Sequence, residues 1–84
     1  MVQQDFVIYC PVKKAYAQYV DCTEFPGWVF DELIEATGFN DLEEALRTVN
    51  GFILPSGFVV RKKDPRFDRC VVRKRTVMAQ VEDI

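Results

Sequence analysis

The sequence predicts an α+β fold: a small antiparallel sheet in the order β-β-α-α-β-β, with one or two short helices packed on one face. Three observations predict it. Residues 5–20 hold two runs of β-branched and aromatic residues around a proline turn; residues 41–50 hold apolar side chains at helical spacing ahead of a glycine; residues 58–78 return to strand-forming types. At 84 residues, 49% hydrophobic and 13% aromatic, the chain is expected to form a single domain, 1–84, with one core.

The first run is Asp5-Phe-Val-Ile-Tyr-Cys10, with Phe6, Ile8 and Cys10 on one face and Val7 and Tyr9 on the other. Pro11-Val-Lys-Lys14 supplies the turn, because proline fixes φ and donates no ladder hydrogen bond. Residues 15–20 resume as a strand, which makes 5–20 a β-hairpin. A connection follows and ends in Pro26-Gly27. Phe30, Leu33 and Ile34 then recur at helical spacing, with Asp31, Glu32 and Glu35 outside, so a helix is expected at 28–36 between Pro26 and Gly38. The rival reading is an extended segment at 35–39 that leads into the next helix.

That next helix, 41–50, is the clearest element. Leu42, Ala45, Leu46 and Val49 form its apolar stripe, and Asn40 is the expected cap, with Glu43 reaching back to it. Acids fill its first turn, where the helix dipole favours them, and Gly51 closes it. Gly51 to Gly57 reads as a loop with Pro55. Residues 58–63, a turn at Asp64-Pro65-Arg66-Phe67 and residues 70–78 read as a basic β-hairpin spanning 58–78. The tail at 80–84 is expected to fray.

The composition excludes more function than it assigns. The chain contains no histidine, which removes histidine-dependent triads, histidine-bearing zinc sites and most acid–base schemes. A short chain also has little material for a catalytic cleft, so no enzyme, no catalytic residue, no metal and no cofactor are expected. The three cysteines, Cys10, Cys22 and Cys70, form no Cys-x-x-Cys pair. They are read as reduced thiols, two or three of them packed as small hydrophobes. The sharper alternative is a reactive Cys22, disfavoured by its neighbours Asp21 and Glu24. No apolar run is long enough for a membrane helix, and the N-terminus lacks the pattern of a signal peptide, so a cytoplasmic protein is expected.

The formal charge of −2 conceals a division. Residues 25–50 hold six acids against Arg47, a net of −5, and residues 51–75 hold eight bases against Asp64 and Asp68, a net of +6. The plain reading is solvated surface, with edge-strand cations that discourage aggregation. The functional reading of the acidic part is protein binding by Trp28, Asp31, Glu32, Glu35, Glu43 and Glu44, docked on a partner with a basic surface. The functional reading of the basic part is a nucleic-acid-binding β-ribbon that uses Arg61, Lys62, Lys63, Arg66, Phe67, Arg69, Arg73, Lys74 and Arg75, with Phe67 stacking on a base. A helix-turn-helix over 28–50 is rejected, because Glu43 and Glu44 would meet phosphates first.

The segment Ala36-Thr37-Gly38-Phe39-Asn40-Asp41-Leu42-Glu43-Glu44-Ala45, entered from a β-hairpin, resembles small phage and prophage proteins of the anti-defence type, anti-CRISPR inhibitors among them. The resemblance covers roughly residues 5–50 and implies a non-enzymatic inhibitor that blocks a host nucleoprotein complex such as a CRISPR effector, in the cytoplasm of a bacterial cell. A structural or assembly subunit of a phage is the remaining alternative.

Overall fold

A computed structural model of the chain describes residues 2–21, 24 and 27–78, with only the backbone described at residues 2, 77 and 78. The fold is α+β. A four-stranded antiparallel sheet carries one α-helix, and a separate two-stranded sheet lies beside it. The large sheet has the order β3-β2-β1-β6, from strands β1 (Val2–Cys10), β2 (Ala15–Val20), β3 (Gly27–Asp31) and β6 (Val71–Met78).

The expected hairpin over 5–20 forms, but its strands pair only beside the turn, through Tyr9 with Tyr16 and Cys10 with Ala15. Beyond that point β2 peels away and residues 37–39 wedge between the two strands. Phe39 exchanges both backbone hydrogen bonds with Phe6 at 2.8 Å, while the Thr37 N–H donates to the Ala17 carbonyl at 3.0 Å and the Thr37 hydroxyl accepts from the Tyr19 N–H at 2.7 Å. The wedge thus satisfies backbone groups on both strands that the split would otherwise orphan. On its other side β1 pairs with β6 from Val2 with Met78 to Tyr9 with Val71.

The helix expected at 28–36 does not form. Gly27–Asp31 is β3, and Leu33–Glu35 is a single 3-10 turn. The alternation decides the matter. Trp28 and Phe30 turn inward together against the core while Val29 and Asp31 face out, a period of two that aromatic and β-branched residues favour. The helical spacing of Phe30, Leu33 and Ile34 does not lead to burial: Ile34 is 81% exposed and Leu33 43%. The rival extended reading of 35–39 is closer, since residues 37–39 are the wedge. Pro26, expected to start the helix, lies outside the described residues.

Helix α1 (Leu42–Asn50) matches the expected 41–50, with two corrections. Its cap is Asp41, not Asn40: the Asp41 carboxylate accepts from the Glu43 N–H at 3.0 Å, and Glu43 turns forward to Arg47. Its buried face is Ala45, Thr48 and Val49, whereas Leu42 and Leu46 are 43% and 40% exposed. Small residues at 45 and 48 let the helix approach β1 and β6 closely, and the leucines fall to the rim. Thr48 keeps its hydroxyl satisfied by donating to the Glu44 carbonyl at 2.9 Å. Gly51 ends the helix at φ +77, and its N–H donates to the Arg47 carbonyl.

The basic β-hairpin expected over 58–78 is also absent. β5 (Val59–Arg61) pairs with β4 (Phe52–Ile53), and β6 pairs with β1. Phe67 is the physical reason. It is 1% exposed and forms part of the core, so the chain dives beneath the sheet between the two strands instead of turning in plane. The dive runs through a 3-10 turn, Pro65–Phe67, capped by the Asp64 carboxylate, and through Arg69 at φ +64. Phe67 meets Trp28 edge-on at 5.3 Å and Phe30 at 6.3 Å, and Ile8, Cys10, Ala17, Val49 and Cys70 complete the core. The tail at 80–84 lies outside the described residues.

Candidate interaction surface

The β4–β5 ribbon is built by its turn. Pro55-Ser56-Gly57 is a three-residue loop closed by the Gly57 N–H to the Leu54 carbonyl at 2.8 Å and the Leu54 N–H to the Phe58 carbonyl at 2.9 Å. Proline suits the second position of such a turn, and the third loop residue must take positive φ. Gly57 does so at φ +90, with open space where a side chain would point, so conformation and not crowding requires glycine there.

The base of this ribbon is fastened to α1. The Arg47 guanidinium lies over the Phe52 ring at 4.2 Å, and Arg61 Nη1 donates to Glu44 at 3.3 Å and to the Thr48 hydroxyl at 3.2 Å. Gly51 permits the close approach: a Cβ there would stand 2.7 Å from the Arg61 carbonyl and 2.8 Å from the Lys63 nitrogen. Beyond the base, every residue from Ile53 to Lys63 is exposed. Ile53 and Phe58 are 64% and 66% exposed, with Val59 and Val60 close behind. Small soluble domains rarely expose large apolar residues in such a continuous run.

Beside the ribbon base lies an open cleft of about 390 Å³. Tyr19, Trp28, Phe39 and Phe67 form its aromatic floor, and Arg61 and Lys62 stand on its rim. Trp28 is held in place by Tyr19 edge-on at 5.4 Å and by the nearly parallel Phe39 ring at 6.1 Å. It is therefore a fixed, half-buried ring at the bottom of a cleft, not a free anchor on an acidic helix.

No family model, curated protein or solved structure matches this chain.

The acids expected to act together are divided. Glu43 pairs with Arg47 at 3.4 Å and Glu44 with Arg61 at 3.3 Å on α1, while Asp31, Glu32 and Glu35 flank the exposed Leu33 and Ile34 in sequence and make no ion pair among the described residues. The cations of the expected basic ribbon do not share one hairpin either, since β5 pairs with β4 and β6 with β1. Arg75 is spent on Asp5, Arg66 on Asp64 at 2.6 Å, and Arg73 lies over the Tyr9 ring at 3.9 Å. Lys63 stands 4.0 Å from Asp68, and Phe67, expected to stack on a base, is sealed in the core. Lys62, Arg69 and Lys74 remain exposed without an ion pair among the described residues. The Arg66 hydrogen bond holds the Asp64 carboxyl below its ordinary value of 3.8, against the opposing effect of burial.

The described residues contain no group of three or more side chains suited to hold a metal, and no helix among them is long and apolar enough to cross a membrane. The ribbon residues Ile53, Leu54, Phe58, Val59 and Val60 were not among the expected site residues. The signal is nevertheless in the sequence: Phe52-Ile-Leu flanks Pro-Ser-Gly and is followed by Phe58-Val-Val, two strand-forming runs around a three-residue loop with glycine last.

Proposed function

We propose that the chain is a non-enzymatic protein-binding domain that docks its partner through the β4–β5 ribbon and the adjoining aromatic cleft. The exposed apolar ribbon carries this reading. Ile53, Phe58, Val59 and Val60 bury little in the free chain, yet α1 holds their strands in a defined place. A pre-arranged apolar surface releases water on docking without first paying to order a loop. The cleft then accepts one side chain of the partner against Trp28, the kind of aromatic pocket in which binding energy concentrates. Lys62, which lines the cleft and makes no ion pair among the described residues, favours an acid beside it on the partner.

A second reading is an inhibitor of the phage anti-defence type that meets a host nucleoprotein complex through its acids. Asp31, Glu32 and Glu35, which flank Leu33 and Ile34 in sequence, support it, because exposed apolar side chains beside acids without an ion pair among the described residues suit a basic surface. The nucleic-acid reading keeps only scattered cations, since Arg66, Arg73 and Arg75 are engaged within the chain.

Affinity purification from the native host, with mass spectrometry of what is retained, tests these readings in two arms. An Ile53→Ser, Phe58→Ser double variant should lose the partner, and an Asp31→Lys, Glu32→Lys, Glu35→Lys triple variant should keep it. The reverse pattern would replace the ribbon by the acidic segment and favour the inhibitor reading. Retention of nucleic acid alone, released by salt, would favour the ribbon as a nucleic-acid binder.

A further inference from the structure

We infer that Cys10 and Cys70 form a modification site: a cross-strand dithiol that small hydroperoxides convert to an intramolecular disulfide. The register places them together. β1 and β6 pair in antiparallel fashion to Tyr9 with Val71, and Cys10 and Cys70, the latter just ahead of β6, lie one step beyond that last pair. Facing residues of antiparallel strands have Cα atoms about 4.5–5.5 Å apart, within the range a disulfide spans. Both thiols are free and buried, both belong to the same core cluster, and the Cys70 Sγ donates to the Arg66 carbonyl at 3.9 Å.

The two sulfurs are not equivalent. Cys10 lies beside an open cavity of about 290 Å³ that is also lined by Val12, Lys13, Pro65, Arg66, Asp68 and Arg69. Burial pushes its thiol up, but hydrogen bonds from the Lys13 and Val12 backbone and the Cys70 thiol, with the Lys13 charge, outweigh that and hold it below the ordinary 9.0. Burial and the Cys10 neighbour push Cys70 up to about 11. Cys10, which lines the cavity beside Lys13 as Cys70 does not, is thus the attacking sulfur and Cys70 the resolving one. At 3% exposure for Cys10 and 8% for Cys70, only an oxidant small enough to enter the cavity beside Cys10 meets its sulfur.

The chemistry balances in two steps. The Cys10 thiolate attacks the peroxide O–O bond; an S–O bond forms, and the distal oxygen leaves as an alcohol, or as water, after taking a proton. Cys70 then attacks the Cys10 sulfur; the S–S bond forms, and hydroxide leaves and takes the Cys70 proton as water. Two thiols lose two electrons and the peroxide gains them. The crosslink ties the end of β1 to the start of β6 and closes a loop over most of the chain, so the oxidised form has fewer unfolded conformations to reach.

The test uses a Cys22→Ser chain, which removes the third thiol. The folded protein is treated with one equivalent of hydrogen peroxide, quenched, denatured and alkylated. The expected product is a monomer lighter by two hydrogens, with neither cysteine alkylated, a Cys10–Cys70 crosslink in non-reducing peptide maps, and a melting temperature that dithiothreitol lowers again. In a Cys70→Ser background a sulfenic-acid probe should label Cys10. In a Cys10→Ser background loss of the Cys70 thiol should slow by at least about ten-fold. Full alkylation of both thiols after treatment, or a disulfide between two chains, would overturn the inference, and either result is read in the Cys22→Ser chain alone.

Discussion

Asp5 and Arg75 face each other across β1 and β6 and close a two-bond ion pair, Nε to Oδ1 at 2.9 Å and Nη2 to Oδ2 at 2.6 Å. The third arm of the same guanidinium donates to the Leu33 carbonyl at 3.2 Å and to the Ala36 carbonyl at 3.5 Å. One arginine therefore joins two strands and pins the 3-10 turn that precedes the wedge. Planar, five-donor geometry is what lets it do both, so lysine is no substitute.

Double-mutant cycles in urea should separate this pair from an ordinary surface pair. Asp5 and Arg75 are roughly one-fifth exposed, and their coupling should exceed about 1 kcal/mol. Glu43 and Arg47, 74% and 42% exposed, should couple by no more than about 0.5 kcal/mol. Equal couplings would show that Arg75 does not hold the sheet as described.

Core substitutions should rank by burial, not by hydrophobicity. Phe67→Ala should cost about 3–5 kcal/mol, since the ring is fully enclosed by the sheet aromatics. Leu46→Ala should cost under about 1 kcal/mol, because the side chain is 40% exposed. Thermal or chemical denaturation reads both, and a larger loss at Leu46 than at Phe67 would contradict the packing.

Much of the fold was legible in the sequence, and the failures have local causes. The hairpin over 5–20, the helix over 42–50 and the final strand are strong because pattern and propensity agree there. At 28–35 they conflict: Trp28-Val-Phe30 prefers extended backbone while Phe30, Leu33 and Ile34 mimic a helix, and pairing with β2 decides in favour of β3. The partner of 59–61 was misassigned because pairing is non-local and Phe67 looks like a turn residue until its burial is seen. The charged candidates were legible as charges only. Which of them are spent on partners, as Arg75 is on Asp5, depends on strand register that no local pattern reveals.

Gly51 should be intolerant of substitution. Its φ of +77 and the nearness of the Arg61 carbonyl both exclude a side chain, so Gly51→Ala should cost about 1–3 kcal/mol and loosen the ribbon from α1. Faster amide exchange at 52–61, with β1 and β6 unchanged, would be the sign of it. Gly57→Ala meets only the conformational strain, without the clash, and should cost less.

Acid should weaken the chain partly through Asp64. Its folded carboxyl sits below 3.8, principally because Arg66 hydrogen-bonds the charged form. The folded state then binds fewer protons than the unfolded state, so this contribution is complete above the unfolded value and is lost as pH falls through the folded one. In Asp64→Asn the cap can persist while the charge is gone. The stability difference between wild type and variant should therefore shrink below about pH 4. A difference that stays constant into acid would mean that the ion pair contributes nothing.

The most direct test of the docking account is an amide-exchange footprint of the chain alone and bound to the partner recovered from its host. Protection should appear at residues 52–62 and at the cleft strands around Tyr19 and Trp28, and leave 31–35 unchanged. Protection confined to 31–35 and α1, with the ribbon exchanging as in the free chain, would contradict it.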